Sequence, residues 1–339
     1  MGFELKQDSF DRTFIVEACD NHFGSLDSAK AFVDGADRVG AQYIKFQHHI
    51  TYEEMDKTED MSSNFLEPLH IFLDRCALTL NDHIYLIKYC RDKNVDYLVT
   101  PFSFQAFLEL YSLGVRLFKI GSGEFQDLLF LSKLSDYKDC FFIFSTGMCA
   151  EHEIIDLVDF LNLYQFNFSL MNCVSEYPPE LGNPNFRYIS RLKKLFPNLL
   201  IGQSDHSPSI GSSLAAITLG ASIIEKHVTL NPLLSGPDKD VSITFESFRE
   251  LIDLSKDISP KDFSKSVSSK ELNVRKWAYR GIVASCDIQK GDTLDLDKLT
   301  SKRPSNGIPS NEFSKLIGCK TNRMILKGQR LCWDDVKSK

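Results

Sequence analysis

Short runs of consecutive apolar residues alternate with longer runs in which apolar positions recur every three or four residues, and the alternation continues from Phe14 to Ser255. The short runs predict strands at residues 14–18, 43–47, 97–100, 117–120, 141–145, 168–172, 199–203 and 223–227. Between them, helical spacing predicts helices over 26–40, 82–93, 104–114 and 210–220, three of which end in the Gly expected just beyond a helix, and a last one over 245–255. Eight strand–helix pairs predict an α/β fold, a (β/α)8 TIM barrel. A doubly wound open sheet is the competing reading of the same alternation.

After Ser255 the pattern breaks. SKDISPKDFSKSVSSK, residues 255–270, is rich in Ser and Lys and poor in large apolar side chains, which predicts a linker at 257–275 between a barrel domain at 1–256 and a second domain at 276–339. That second domain has β-like runs at 281–284 and 324–326 and turns at Lys290-Gly291-Asp292 and Lys327-Gly328-Gln329. Its small size predicts that it leans on a barrel, its own or a partner subunit's.

In a barrel the inward positions alternate along each strand and chemistry collects at the strands' C-terminal ends. In YIKFQ, Lys45 and Gln47 share a face, with Ile44 and Phe46 on the other. A lysine turned into a barrel requires an anion or water. Lys119 repeats the pattern, followed by Gly121-Ser122-Gly123, whose backbone N–H groups could approach a phosphate or carboxylate, and by Glu124. Glu17, Thr100, Ser145, Ser175, Tyr177 and His227 end other strands.

IGQSDHSP, residues 201–208, ends a strand in three consecutive polar residues, which cannot form a nucleophile–base–orienter relay. Ser207-Pro208 suits the N-cap and first position of a helix. Ser204 and His206, two apart, point inward and Asp205 points away. His206 and His227, from neighbouring strands, could share a divalent metal with positions left open for water and substrate; a structural role for each imidazole is the alternative.

Composition narrows the classes. A net charge of −7 argues against general nucleic-acid binding, while leaving room for a small anion held by local cations. Nine cysteines, odd in number and never spaced as CxxC, fit reduced thiols in a cytoplasm. No apolar run approaches the roughly 20 residues of a membrane span, and the charged N-terminus lacks the apolar region of a signal peptide.

Motifs spread over the chain carry a resemblance. VEACDNHFGSLDSAK (16–30), AQYIKFQ (41–47), TPFS (100–103), KIGSGE (119–124), STGM (145–148), CVSEYP (173–178), SDHS (204–207), EKHVTL (225–230) and SGPDKDVS (235–242) resemble the sialic acid synthase family, and residues 278–336, with KRPSNG at 302–307, resemble the antifreeze-like (SAF) domain fused to those barrels. The resemblance implies condensation of phosphoenolpyruvate with the open-chain aldehyde of N-acetylmannosamine or a related N-acetylated amino sugar, giving a sialic (nonulosonic) acid and inorganic phosphate. It implies that His206 and His227 hold Mn²⁺ or Mg²⁺, and that Lys45, Thr100, Lys119, Ser122, Ser145, Ser175 and Ser204 hold phosphoenolpyruvate. Glu17 and Glu124 would handle protons, with Lys45 beside them in the catalytic set. Gln47, Tyr177 and Asp238 would contact the sugar. Arg303 would reach it from the other subunit of a domain-swapped homodimer.

The sequence departs from the family pattern at Ala18-Cys19-Asp20, at Asn172 and at Ser305, which bears on the acceptor. Legionaminic or pseudaminic acid synthesis is an alternative within the family. A non-catalytic sugar-binding protein of the same fold, and a barrel using another phosphoenolpyruvate acceptor, are the readings outside it.

Overall fold

The computed structural model describes residues 5–57, 67–180, 182–233, 236, 238–258 and 265–337. The chain divides into two compact units, residues 1–261 and 262–339.

In the first unit, strands β1 (Thr13–Glu17), β2 (Tyr43–His48), β3 (Asp96–Pro101), β4 (Leu117–Ile120), β5 (Phe141–Ser145), β6 (Asn167–Cys173), β7 (Ile201–Asp205) and β8 (Ile223–Thr229) pair in chain order. β1 also pairs in parallel with β8, Glu17 opposite His227, so the sheet closes into a barrel and the open-sheet reading is excluded. A short β9 (Ile243–Thr244) pairs in parallel with the end of β8. The helices of this unit are α1 (Leu26–Val39), α2 (Thr51–Glu54), α3 (Leu69–Cys76), α4 (Leu80–Arg91), α5 (Phe104–Ser112), α6 (Leu128–Leu134), α7 (Glu151–Leu163), α8 (Ile189–Leu195), α9 (Gly211–Thr218) and α10 (Phe245–Ser255).

Local chemistry sets their ends. α1 begins where Ser25 accepts the N–H of Ser28, and it ends where Gly40, at φ 80°, donates its N–H to the carbonyls of Ala36 and Asp37. Gly35, inside α1, weakens the helix by about 1 kcal/mol relative to Ala. It is needed for packing, because a Cβ there would lie 2.4 Å from Cζ of Phe245 at the start of α10.

Each strand feeds two cores. Outward side chains such as Phe14, Val16, Ile44, Phe46, Phe118 and Phe142 pack with the helices in one large cluster. Inward side chains Ile15, Tyr43, Leu98, Leu117, Ile143, Met171 and Ile223 form a second cluster with Leu5 that fills the N-terminal part of the barrel. Two residues further along, the inward positions turn polar. The barrel is a dry plug below and a polar cup above.

Some local expectations are corrected. β7 runs from Ile201 to Asp205 rather than from Leu199, because Ser204 and Asp205 pair with Glu225 and Lys226 of β8 while Leu199 closes a turn onto Phe196. Ser207 is not a helix cap: α9 starts at Gly211 without a side-chain cap, and Ser207 Oγ instead contacts Ser212, the Ser209 carbonyl and Lys226.

In the second unit α11 (Ser269–Ala278) opens with a capping box between Ser268 and Glu271. β10 (Gly281–Ala284) pairs antiparallel with β11 (Leu299–Lys302), and after α12 (Phe313–Leu316), β12 (Lys320–Thr321) pairs with β13 (Val336–Lys337). Ile282, Ile288, Leu294, Ile308, Leu316, Ile325 and Leu331 belong to a core of its own. The β-like run at 324–326 makes only an isolated bridge between Ile325 and Ile288, since its flanking Met324 and Leu326 are exposed. Of the stretch read as a linker, 257–275, residues 259–264 lie outside the described residues and 269–275 are not a linker but the first part of α11.

Candidate active site

A cleft of about 580 Å³ lies at the C-terminal ends of the barrel strands, a size that suits a small-molecule ligand. Every barrel residue given a catalytic, substrate-binding or metal-binding part from the sequence lines it, from Glu17 on β1 to Asp238 beyond β8. Arg303 is exposed in the second unit, just after β11.

The floor is a buried charge cluster. Lys45 Nζ lies 2.9 Å from Glu225 Oε1 and 3.2 Å from Glu17 Oε2. Lys119 Nζ donates to Ser145 Oγ at 2.5 Å and stands 3.9 Å from Glu225. Ser204 Oγ donates to Glu225 Oε1 at 2.9 Å. Burial, opposed by Lys45 and assisted by Glu225, raises the Glu17 carboxyl well above the ordinary carboxylate range. Burial also works to raise Glu225, but Lys119 and Lys45 outweigh it and hold its pKa down. Glu17 is therefore the carboxyl that keeps its proton, and two ammonium groups facing one carboxylate leave the floor with a net positive charge. The cluster is set to receive an anion.

Space for that anion depends on missing side-chain atoms. A Cβ on Gly147 would fall 2.1 Å from Ser175 Oγ and 2.6 Å from Ser122 Oγ, so the two hydroxyls converge over a bare backbone. Ser122 Oγ also accepts the Gly147 N–H at 3.0 Å. Gly121 makes similar room for Glu124, whose Oε2 would sit 2.6 Å from a Cβ there. Glu124 Oε2 is buried without a hydrogen-bond partner, and burial raises its pKa. Thr100, from β3, is buried in the same wall.

Beside the floor stand two imidazoles, ring centroids 5.2 Å apart. His206 Nδ1 is 3.0 Å from the Val174 carbonyl, which places the ring proton on Nδ1 and leaves the Nε2 lone pair toward the Tyr177 hydroxyl at 3.3 Å. The Tyr177 ring stacks on it at 4.3 Å. His227 Nδ1 is buried with no hydrogen-bond partner and lies 3.9 Å from Asp238 Oδ2. Burial, with the neighbouring His206, pushes His227 well below 6.5 and keeps it neutral.

Asp205 and Asn172 point out of the cup. Asp205 pairs with Lys226 at 3.2 Å and accepts from Ser212 and Ser213 of α9, fastening that helix to the barrel. Asn172 donates to Gln203 and to the Asn185 carbonyl.

Sequence reasoning missed Glu225, although the alternation that placed Ser204 with His206 also places Glu225 two residues before His227. It also missed His49, whose Nδ1 lies 2.9 Å from Glu54 and whose Nε2 lies 2.9 Å from the Gln47 side chain. No spacing rule reaches His49, because it lies beyond the end of β2.

The sequence profile of the NeuB family matches residues 32–262, and that of the SAF domain matches residues 279–337. The chain belongs to the NeuB family. It is 32% identical over 315 residues to an N,N'-diacetyllegionaminic acid synthase of Campylobacter jejuni, covering 90% of this chain and 94% of the relative. It is 30% identical to one of Legionella pneumophila, covering 99% and 98%. The crystal structure of an N-acetylneuraminic acid synthetase from Leptospira borgpetersenii matches with a TM-score of 0.71 at 26% identity, covering 78% of this chain and 90% of that one.

A divalent metal, which this family implies, fits the donors here. The unpartnered, neutral His227 and the buried carboxyl of Asp238, 3.9 Å from it, are the ligand types such an ion takes, and the His227 Nδ1 has no hydrogen-bond partner. No helix among the described residues is long and apolar enough to cross a membrane.

Proposed function

We propose that this chain condenses phosphoenolpyruvate with the open-chain aldehyde of an N-acetylated amino sugar, releasing inorganic phosphate and forming a nonulosonic acid. The observation that carries this reading is the meeting of the Lys45 and Lys119 ammonium groups at Glu225 on the cleft floor, beside the convergent hydroxyls of Ser122 and Ser175 over Gly147. Lys45, Thr100, Lys119, Ser122, Ser145, Ser175 and Ser204 hold the phosphate and carboxylate groups of phosphoenolpyruvate by charge-assisted hydrogen bonds.

Glu17, protonated before substrate enters, and Glu124, with one oxygen unpartnered, are the groups that give and take protons as the carbon–carbon bond forms and water adds at C2. Gln47, Tyr177 and Asp238 line the sugar side of the cleft. His206 and His227, with Asp238, hold a divalent metal, Mn²⁺ or Mg²⁺. Bound there, the ion supplies Lewis-acid polarisation of the aldehyde oxygen.

Met55, Leu69, Leu73 and Phe102 make one wall of the cleft apolar. That wall favours an acceptor carrying a second acetyl group, in keeping with the diacetylated products named for two relatives. The protein acts in the cytoplasm as a domain-swapped homodimer in which Arg303 of one subunit meets the N-acetyl group bound by the other.

The test is phosphate release from phosphoenolpyruvate and Mn²⁺ with a panel of mono- and diacetamido hexoses. Release with one acceptor identifies the substrate. No release with any acceptor, from folded protein, refutes the enzymatic reading.

A further inference from the structure

Cys19 is an unexpected side chain for the barrel mouth. It follows β1 with φ at 44°, a left-handed backbone that costs a residue with a Cβ about 1–2 kcal/mol. Its thiol is nonetheless buried within the cleft. The sulfur accepts a hydrogen bond from Gln47 Nε2 at 3.1 Å. Donor atoms of Cys19, His227 and Asp238, all buried, lie within 4.8 Å of one another, the spacing of groups around one ion. His227 Nδ1 has no hydrogen-bond partner in this arrangement. A buried imidazole nitrogen, a carboxylate and a thiol, brought together by a strained backbone, form a built site rather than a chance contact.

We propose that Cys19 is itself a ligand of the divalent metal, adding sulfur to the imidazole and carboxylate donors. This inference rests on the reading of the cleft as metal-dependent. The thiol binds as thiolate, its proton passing to solvent. A thiolate is a soft donor, so it turns preference from Mg²⁺ toward Zn²⁺, Co²⁺ and Fe²⁺. With His206, His227 and Asp238, Cys19 would make four protein ligands, so a six-coordinate ion would keep two positions for water and the acceptor's oxygen. The Gln47 amide, donating to the sulfur, aims it and withdraws charge from it. Gln47 thereby acts as a positioning residue for the metal in addition to lining the sugar side.

The experiment is an anaerobic titration of the metal-free full-length protein with Co²⁺, followed by absorption. Wild type should show visible ligand-field bands together with an intense near-ultraviolet thiolate-to-cobalt charge-transfer band. Cys19→Ser should lose the charge-transfer band and keep the ligand-field bands, and Cys173→Ala, which removes the neighbouring buried thiol of the cleft, should keep both. Competition should show Zn²⁺ affinity lowered roughly 100-fold in Cys19→Ser, at the upper end of what even outer-shell losses cause. Mn²⁺ affinity should change far less, since oxygen suits that ion.

Ligand-field bands without charge transfer in wild type would overturn the role of Cys19 and leave the metal reading standing. A charge-transfer band that survives in Cys19→Ser assigns the sulfur to another cysteine and overturns it equally. Absence of any Co²⁺ binding by wild type overturns both readings. Cys19→Gly, which relieves the left-handed backbone, serves as the second variant where Cys19→Ser folds poorly, and the wild-type spectrum decides the question without either.

Discussion

The Lys45 ammonium on β2 lies 2.9 Å from the Glu225 carboxylate on β8, although β1 runs between those two strands. Both side chains are almost fully buried. They meet because the closing β1–β8 pairing brings non-adjacent strands around one axis at the same height. With Lys119 sharing the same carboxylate, Glu225 is the anion that keeps two lysines in place until a substrate anion arrives.

Glu225→Gln removes that anion and leaves two buried ammonium groups facing neutral partners. Breaking a buried ion pair from one side costs about 3–5 kcal/mol. Urea melts at pH 7 should show a loss of this size, and phosphate release should cease. A variant as stable as wild type would show that Glu225 is not balancing the lysines.

Gly147→Ala places a methyl group where the Ser122 and Ser175 hydroxyls now sit. Losing two hydrogen bonds to a charged ligand, at about 1.5 kcal/mol or more each, should raise the KM for phosphoenolpyruvate over 100-fold. The acceptor KM should move much less. Steady-state kinetics with each substrate varied separately decide this.

Asp205→Ala should behave in the opposite way. Its partner Lys226 is completely buried, so the variant should lose about 3–5 kcal/mol of stability. The kcat/KM of the folded fraction should be unchanged, because Asp205 faces α9 and not the cup. A selective loss of kcat in a fully folded variant would give Asp205 a part in the chemistry.

His22, His48 and His83 are buried near the outer side of β2, and each has a ring nitrogen without a hydrogen-bond partner. Burial lowers all three, His22 from 6.5 to about 4. The unfolded chain therefore takes up protons first as pH falls. Their contribution to stability is complete above pH 6.5 and is lost below it, for His22 between 6.5 and about 4, with a slope of up to about 1.4 kcal/mol per pH unit for each group. Urea midpoints measured from pH 8 to pH 5 should fall, and His83→Gln should flatten that fall relative to wild type.

Arg303→Ala should raise the KM for the acceptor sugar and leave that for phosphoenolpyruvate unchanged, in the full-length protein. An unchanged acceptor KM refutes the contact from the partner subunit.

Much of this molecule was legible as sequence because strands and helices write their periods locally. Alternation along YIKFQ and KIGSGE put Lys45 and Lys119 inside the barrel, and the two-residue step from Ser204 to His206 separated both from Asp205. The polar rim followed from the same rule, whereas the choice between a closed barrel and an open sheet waited for the β1–β8 pairing. Chain order and side-chain period are one-dimensional properties, and residues that obey them can be read without coordinates.

Tertiary structure decided what meets what. Glu225 between Lys45 and Lys119, the two serine hydroxyls over Gly147, and Cys19 beside His227 and Asp238 all join residues far apart in the chain. Protonation is decided there as well, since Glu17 keeps its proton only because burial and Glu225 outweigh Lys45. Distances across a closed barrel depend on register, tilt and loop path together, and charge states depend on those distances, so neither is written in any single segment of the chain.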